Sequence, residues 1–180
     1  MIKKLIIKEE VYMKRVAILI ENLFDERELL YPYYRLMEEG YQVHLVGTEK
    51  AKIYTGKSNL TEKSTHSSKE VRAEDYDAIV IPGGYSPDYM RRSKDTINFV
   101  KEMDRLGKPI AAICHGPWMM ASCCNLKDKK VTAFHSIKDD LINAGAEYVD
   151  EEVVVDGNLI TSRTPKDLVA FVKAIIEKIG

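Results

Sequence analysis

The run Pro109-Ile-Ala-Ala-Ile-Cys114-His115-Gly116-Pro117 sets a thiol and an imidazole side by side at the end of an apolar stretch. The apolar part, following Gly107-Lys108, reads as a buried parallel strand. Gly116 permits a tight turn, and Pro117 suits the first position of a following helix, where its missing N–H is no loss. A cysteine on such a corner has helix N–H groups directed at its sulfur, which lowers a thiol pKa and favours the nucleophilic thiolate. The geometry is that of a nucleophile elbow.

Attack on a carbonyl also needs a proton carrier, an orienting acid and N–H donors for the developing oxyanion. His115 supplies an imidazole, although neighbours on a turn can diverge and need not touch. Gly83 and Gly84 allow close backbone approach to a ligand, so the N–H groups of Gly84 and His115 make a candidate oxyanion hole. Asp25 and Asp88 are the candidate carboxylates, and each also stands where aspartate caps a helix. His135, in Ala-Phe-His-Ser, is a further candidate for the cleft, with no other signal beside it. Cys123 and Cys124 read as core or near-surface thiols.

These residues need a scaffold that brings separate loops together. Val16–Ile20 and Ala78–Ile81 are apolar runs suited to central strands, and 41–46 alternates as another. Residues 25–39 carry Leu29, Leu30, Tyr33, Leu36 and Met37 on one face, a helix stopped by Gly40. A second helix spans 96–106, and residues 50–74 read as short strands and loop. Lys130–Phe134 is predicted as a strand and Ile137–Ala144 as a helix. Glu152–Val155 and Leu159–Ser162 form a hairpin turned at Asp156-Gly157, and Asp167–Lys178 is a closing amphipathic helix. Strands alternating with helices indicate βαβ units and a mostly parallel sheet. Ligands bind such sheets beyond the carboxyl ends of the strands. The segments 21–25, 82–84 and 114–115 all fall on that edge.

The chain of 180 residues carries a net charge of −1, with acids and bases interspersed, which gives no electrostatic footprint for nucleic acid or a membrane surface. Three cysteines, two adjacent, make neither a disulfide framework nor a metal-ligand spacing, so the expectation is a reducing cytoplasm and no metal or cofactor. No stretch reaches membrane-spanning length. Met13 begins a second plausible start, so residues 1–12 read as an N-terminal extension and 13–180 as a single domain.

Ala-Ile-Cys-His-Gly-Pro, together with Ile-Pro-Gly-Gly-Tyr-Ser-Pro-Asp upstream, resembles the PfpI family of intracellular cysteine peptidases within the ThiJ/PfpI superfamily. The stretches 29–40, 136–145 and 153–163 match its pattern too, so the likeness spans residues 13 to 178. It implies a flavodoxin-like three-layer α/β sandwich with Cys114 as nucleophile at a strained elbow. It implies a homodimer or hexamer in which Asp88 of a neighbouring subunit completes the Cys114–His115 site. It also implies a buried, protonated carboxyl donating to the thiol; Phe24-Asp25-Glu26-Arg27-Glu28 puts Asp25 at that place, one methylene shorter than the usual glutamate. Glu26 points about 100° around the helix. Phe134 stands where peptidase-like members often have tyrosine, and with Gly83 and His135 it is expected to line the substrate site. The activities implied are peptide hydrolysis, or conversion of small 2-oxoaldehydes and their glycation adducts. The alternative is an oxidation-sensing stress-response protein or chaperone. A glutamine amidotransferase-like domain ranks last, for lack of a downstream His-x-Glu pair.

Overall fold

Residues 13–180 are described by the structure, a computed structural model, and the proposed extension 1–12 lies outside them. The first apolar run forms β1 (Arg15–Leu19), followed by α1 (Glu26–Glu38) and β2 (Gln42–Gly47). The polar stretch after it contains β3 (Ile53–Thr55), β4 (Thr61–Lys63) and β5 (His66–Ser67). Then come β6 (Ala78–Ile81), the short α2 (Ser86–Met90), α3 (Lys94–Arg105), β7 (Ile110–Ile113) and α4 (Pro117–Cys123). The remainder is β8 (Lys130–Val131), α5 (Lys138–Asn143), β9 (Glu147–Tyr148), β10 (Val153–Asp156), β11 (Leu159–Ser162) and α6 (Leu168–Ile179).

The main sheet has the order β10-β11-β7-β6-β1-β2-β5, parallel throughout except for the β10–β11 pair at one edge. Because strand side chains alternate, the central strands feed two cores. Ala17, Leu19, Ile79, Ile81, Ile110 and Ala112 pack with Phe99, Val100 and Met103 of α3 and with Met119 and Met120 of α4. Val16, Ile18, Val80, Ala111 and Ile113 pack on the other face with Leu29 and Leu36 of α1 and with Phe171, Val172 and Ile175 of α6. This is the flavodoxin-like sandwich. Strands 4 to 8 apolar residues long, buried on both faces, carry no alternation, which is why they read as continuous runs.

Three elements differ from the sequence expectation. The strand expected over 130–134 is cut to Lys130–Val131, because the chain then turns to the elbow: Thr132 N–H donates to Thr161 Oγ1 and Phe134 N–H to the Cys114 carbonyl. The β10–β11 turn residues are Gly157 and Asn158, one position later than expected, since Asp156 pairs with Leu159 and Gly157 takes the positive φ of +60°. On α1 the buried stripe is Glu28, Leu29, Pro32 and Leu36, while Met37 lies exposed, so the inward face is rotated toward Glu28.

Candidate active site

The chain reverses direction across the sheet between β1 and β6. From β1 it moves through α1 to β2 on one side, and it later returns to β6 and β7 on the other. The loops after β1 and β6 therefore part at their carboxyl ends and open a crevice. An isolated antiparallel bridge between Phe24 and Gly84, and a Tyr85 N–H to Leu23 carbonyl bond of 2.9 Å, fix the two loops to each other. Gly84 has φ +70°, and a Cβ there would lie 2.2 Å from the Leu23 carbonyl oxygen, so only glycine fits.

Cys114 follows β7 in the left-handed region, φ +60°, a strained conformation for a non-glycine residue. Backbone bonds hold it there: its N–H donates to Ser162 O (3.0 Å), its carbonyl accepts from Phe134 N–H (3.0 Å), and Gly116 N–H returns to Ile113 O (2.8 Å). The His115 ring does turn back to its neighbour, with Nδ1 at 3.4 Å from Sγ and Nε2 at 3.2 Å from Ser136 Oγ. Phe134 stacks on that ring at 5.0 Å between centroids, and Tyr85 lies over it at 6.0 Å. Burial first, then the charges of Lys57 and His135, lower the His115 pKa and keep the imidazole neutral, ready to accept a proton.

The carboxyl against the thiol is that of Glu28, not Asp25. Glu28 is completely buried and accepts from Gly83 N–H at 2.7 Å through Oε2, while Oε1 has no hydrogen-bond partner. A Cβ on Gly83 would sit 2.7 Å from Glu28 Oε2 and 2.8 Å from the Cys114 Cβ, so glycine is what lets acid and thiol share this space. Asp25 is instead the N-cap of α1, accepting from Arg27 N–H at 3.1 Å and pairing with Arg27 and Lys57 at the pocket mouth. The reason is helical geometry: the N-cap carboxyl must turn back to the free N–H groups of its own helix, whereas the residue three positions on projects inward.

Burial, with a smaller push from Asp25, raises Glu28 to about 8, so the carboxyl is protonated at neutral pH. The thiol differs from expectation. Burial, then the negative charge of an ionised Glu28, push Cys114 up to about 12, against the lowering effect of the His115 and Gly84 N–H groups. Of the expected corner donors only His115 N–H acts on the sulfur, and Gly84 N–H comes from the loop after β6. Gly116, Trp118 and Met119 N–H bond to the Ile113, His115 and Gly116 carbonyls, and enclosure outweighs the two donors that remain. A proton on Glu28 removes the repulsive part.

The other site residues spread around this centre. A pocket of about 220 Å³ is lined by Asp25, Arg27, Glu28, Lys57, Gly84, Tyr85, Cys114, His115, Phe134 and Pro165. Gly83 stands behind it with its N–H engaged by Glu28, so that N–H does not face a substrate. His135 lies across Phe134 in an adjoining pocket of about 280 Å³ with Tyr148, Arg163 and Lys166. Asp88, inside α2, pairs with Arg92, and Ser136 rather than Asp88 meets His115 Nε2 within the chain. Among the described residues there is no group of three or more potential metal ligands, and no helix is long and apolar enough to cross a membrane.

The DJ-1/PfpI family pattern matches residues 14–178. The chain belongs to the DJ-1/PfpI family. It is 42% identical to Deglycase PfpI of Pyrococcus furiosus over 163 residues, 91% of this chain and 98% of that one. It is 43% identical over 158 residues to YraA of Bacillus subtilis, named as a candidate cysteine protease, covering 88% of this chain and 94% of that one. Among solved structures, a two-domain Anabaena variabilis protein with DJ-1/ThiJ/PfpI-like and ferritin-like domains superposes with a TM-score of 0.91 at 43% identity. That match takes in 93% of this chain and 48% of the larger one.

Proposed function

We propose that this DJ-1/PfpI protein is a cysteine-dependent deglycase or hydrolase acting on small carbonyl compounds and their adducts. The observation that carries the reading is Cys114 itself, strained at φ +60° with Glu28 behind it and His115 Nδ1 at 3.4 Å. The deglycase name of its Pyrococcus relative and the size of the pocket, about 220 Å³, favour a small substrate over an extended peptide.

In the proposed reaction the Cys114 thiolate adds to the aldehyde carbon of a 2-oxoaldehyde such as methylglyoxal, forming a hemithioacetal. The N–H groups of Gly84 and His115 hold the oxyanion. Neutral His115 takes the proton from that carbon and returns it to the neighbouring carbonyl carbon through an enediolate. The product of this internal transfer is a lactoyl thioester, and water releases lactate and the free thiol. No outside oxidant is consumed. An amine-bound hemiaminal first collapses, its hydroxyl proton passing to the departing amine, and the thiolate then adds to the aldehyde carbon so regenerated. Protonated Glu28 hydrogen-bonds the sulfur when it is anionic and so favours the reactive form.

The test is methylglyoxal consumption by wild type and Cys114→Ala, with a fluorogenic peptide run on the same preparations. Cysteine-dependent loss of methylglyoxal without peptide cleavage is the expected result. Full activity in Cys114→Ala would overturn the mechanism, and cleavage of the peptide alone would transfer the same residues to peptidase chemistry.

A further inference from the structure

The mouth of the Cys114 pocket is framed by two cations from different segments. Arg27 comes from the first turn of α1, and Lys57 from the turn between β3 and β4. Both reach Asp25 Oδ2, Arg27 at 3.0 Å and Lys57 at 3.4 Å, and that carboxylate is the single ionised acid lining the pocket. The other acid there, Glu28, is buried behind the sulfur and protonated at neutral pH. Burial would raise Asp25, but the Arg27 hydrogen bond and the charges of Arg27 and Lys57 prevail and hold it ionised, below the usual carboxylate range. Among the residues that line the pocket, two cations thus stand against one ionised acid. The Glu26 carboxylate, engaged by Ser58 N–H behind the turn, also acts on Arg27 but lies outside the lining.

The β3–β4 turn is fastened so as to present Lys57. Leu23 N–H donates to Thr55 O (2.7 Å), Lys57 N–H to Phe24 O (3.0 Å), and Thr55 N–H to Asn22 Oδ1 (3.0 Å). Ser58 N–H donates to the Glu26 carboxylate, and Gly56 packs so closely that a Cβ would lie 2.4 Å from Glu26 Oε1. Lys57 is the residue of this hairpin that lines the pocket. Its side chain and that of Arg27 remain 44% and 68% exposed, so each keeps donor capacity toward a ligand.

We infer that Lys57 and Arg27 form an anion-reading rim, which selects substrates bearing a carboxylate or phosphate close to the reacting carbonyl. This rests on Cys114 being the nucleophile. It adds that a glycation adduct next to an acidic group, or an acid-bearing aldehyde, is preferred over a neutral one. Lys57 and Arg27 set specificity and take no part in bond making.

The test uses two alkylating agents of similar size, anionic iodoacetate and neutral iodoacetamide. Their second-order rates at Cys114 are followed by mass mapping of the Cys114 peptide at low, constant ionic strength. The ratio of the rates cancels any change in thiol nucleophilicity and reads the field at the mouth. In Lys57→Met the iodoacetate/iodoacetamide ratio should fall about tenfold, the change expected when one partly screened charge is removed beside the reagent. Lys57→Arg should restore it. Protection of wild-type Cys114 by acetate or by inorganic phosphate, matched for ionic strength, identifies which anion the rim takes. A ratio unchanged in Lys57→Met, or protection by neither anion, would overturn the rim. Failure of both reagents to modify Cys114 in wild type would overturn the nucleophile assignment as well.

Discussion

Replacing Glu28 by glutamine should make the protein insensitive to a pH change that weakens the wild type. Glu28 is fully buried, and its pKa is raised from an ordinary 4.5 to about 8, with burial the leading cause. A carboxyl with a higher pKa in the folded than in the unfolded state binds more protons when folded, so its stabilising contribution is complete below pH 4.5 and declines as pH rises to 8. Over pH 5 to 8 the wild type should lose about 3–4 kcal/mol through this group, at 1.36 kcal/mol per pH unit. For a chain of this size that is about 10 °C in Tm. Glutamine has the same shape, its carbonyl can still accept from Gly83 N–H, and it has nothing to ionise. Urea unfolding at pH 5, 6, 7, 8 and 9 gives the comparison, with the stability of Glu28→Gln relative to wild type expected to climb over this range. The slope should persist with both forms in a Cys114→Ala background, since burial rather than the thiol is the main cause. A difference that stays flat between pH 5 and 9 in both backgrounds would refute the protonated Glu28.

The backbone at Cys114 gives a second expectation: Cys114→Gly and Cys114→Ala should both be inactive, with glycine about 1 kcal/mol the more stable by urea unfolding because it alone tolerates φ +60° without strain. Equal stabilities would mean the elbow is relaxed. At the far edge of the sheet, His44 stacks on His66 at 4.0 Å and meets Tyr76 Oη at 2.9 Å. Burial, then the charges of His66 and Arg15, lower its pKa to about 4. A folded-state pKa below the unfolded value means stability present above pH 6.5 and lost as pH falls toward 4, so His44→Gln should flatten the acid side of the Tm-versus-pH curve. An unaltered acid limb would show that His44 has the same pKa in the folded and unfolded states.

The central strands and the elbow were legible in the chain because both have local signatures. Apolar runs bounded by glycine mark buried strands, and Cys-His-Gly-Pro after such a run marks a corner. What escaped was which member of 25–28 faces the sulfur. Matching Asp25 by its place in the motif overlooked the helix face: Leu29, Pro32 and Leu36 define the buried stripe, and Glu28 falls on it. A glutamate within an apolar stripe was the signal. Ser136 and Lys57 escaped for another reason. Their segments meet His115 and the pocket mouth through contacts more than 20 residues apart in sequence, and although Gly56 marks a turn beside Lys57, nothing local says what that turn packs against. The lowered thiol pKa was the expectation a helix N-terminus alone would justify, and it misjudged enclosure by Glu28 and the surrounding loops.

The site is organised by the tolerance of one small buried space for negative charge. Glu28 and Cys114 compete for negative charge, because both lose solvent and their side chains interact directly in a space that a Cβ on Gly83 would fill. With Glu28 at about 8 and Cys114 at about 12, the first proton leaves chiefly from the carboxyl side of a coupled pair, and a thiolate beside protonated Glu28 is the minor form on which the proposed reaction draws. The N–H groups of His115 and Gly84 address the sulfur but not the Glu28 oxygens, whose backbone donor is Gly83. That asymmetry, set by two adjacent glycines on one loop, gives each buried group its own donors. A strained backbone at Cys114 is what keeps the sulfur within reach of both sets, so the elbow, the glycine pair and the buried acid form one device rather than three.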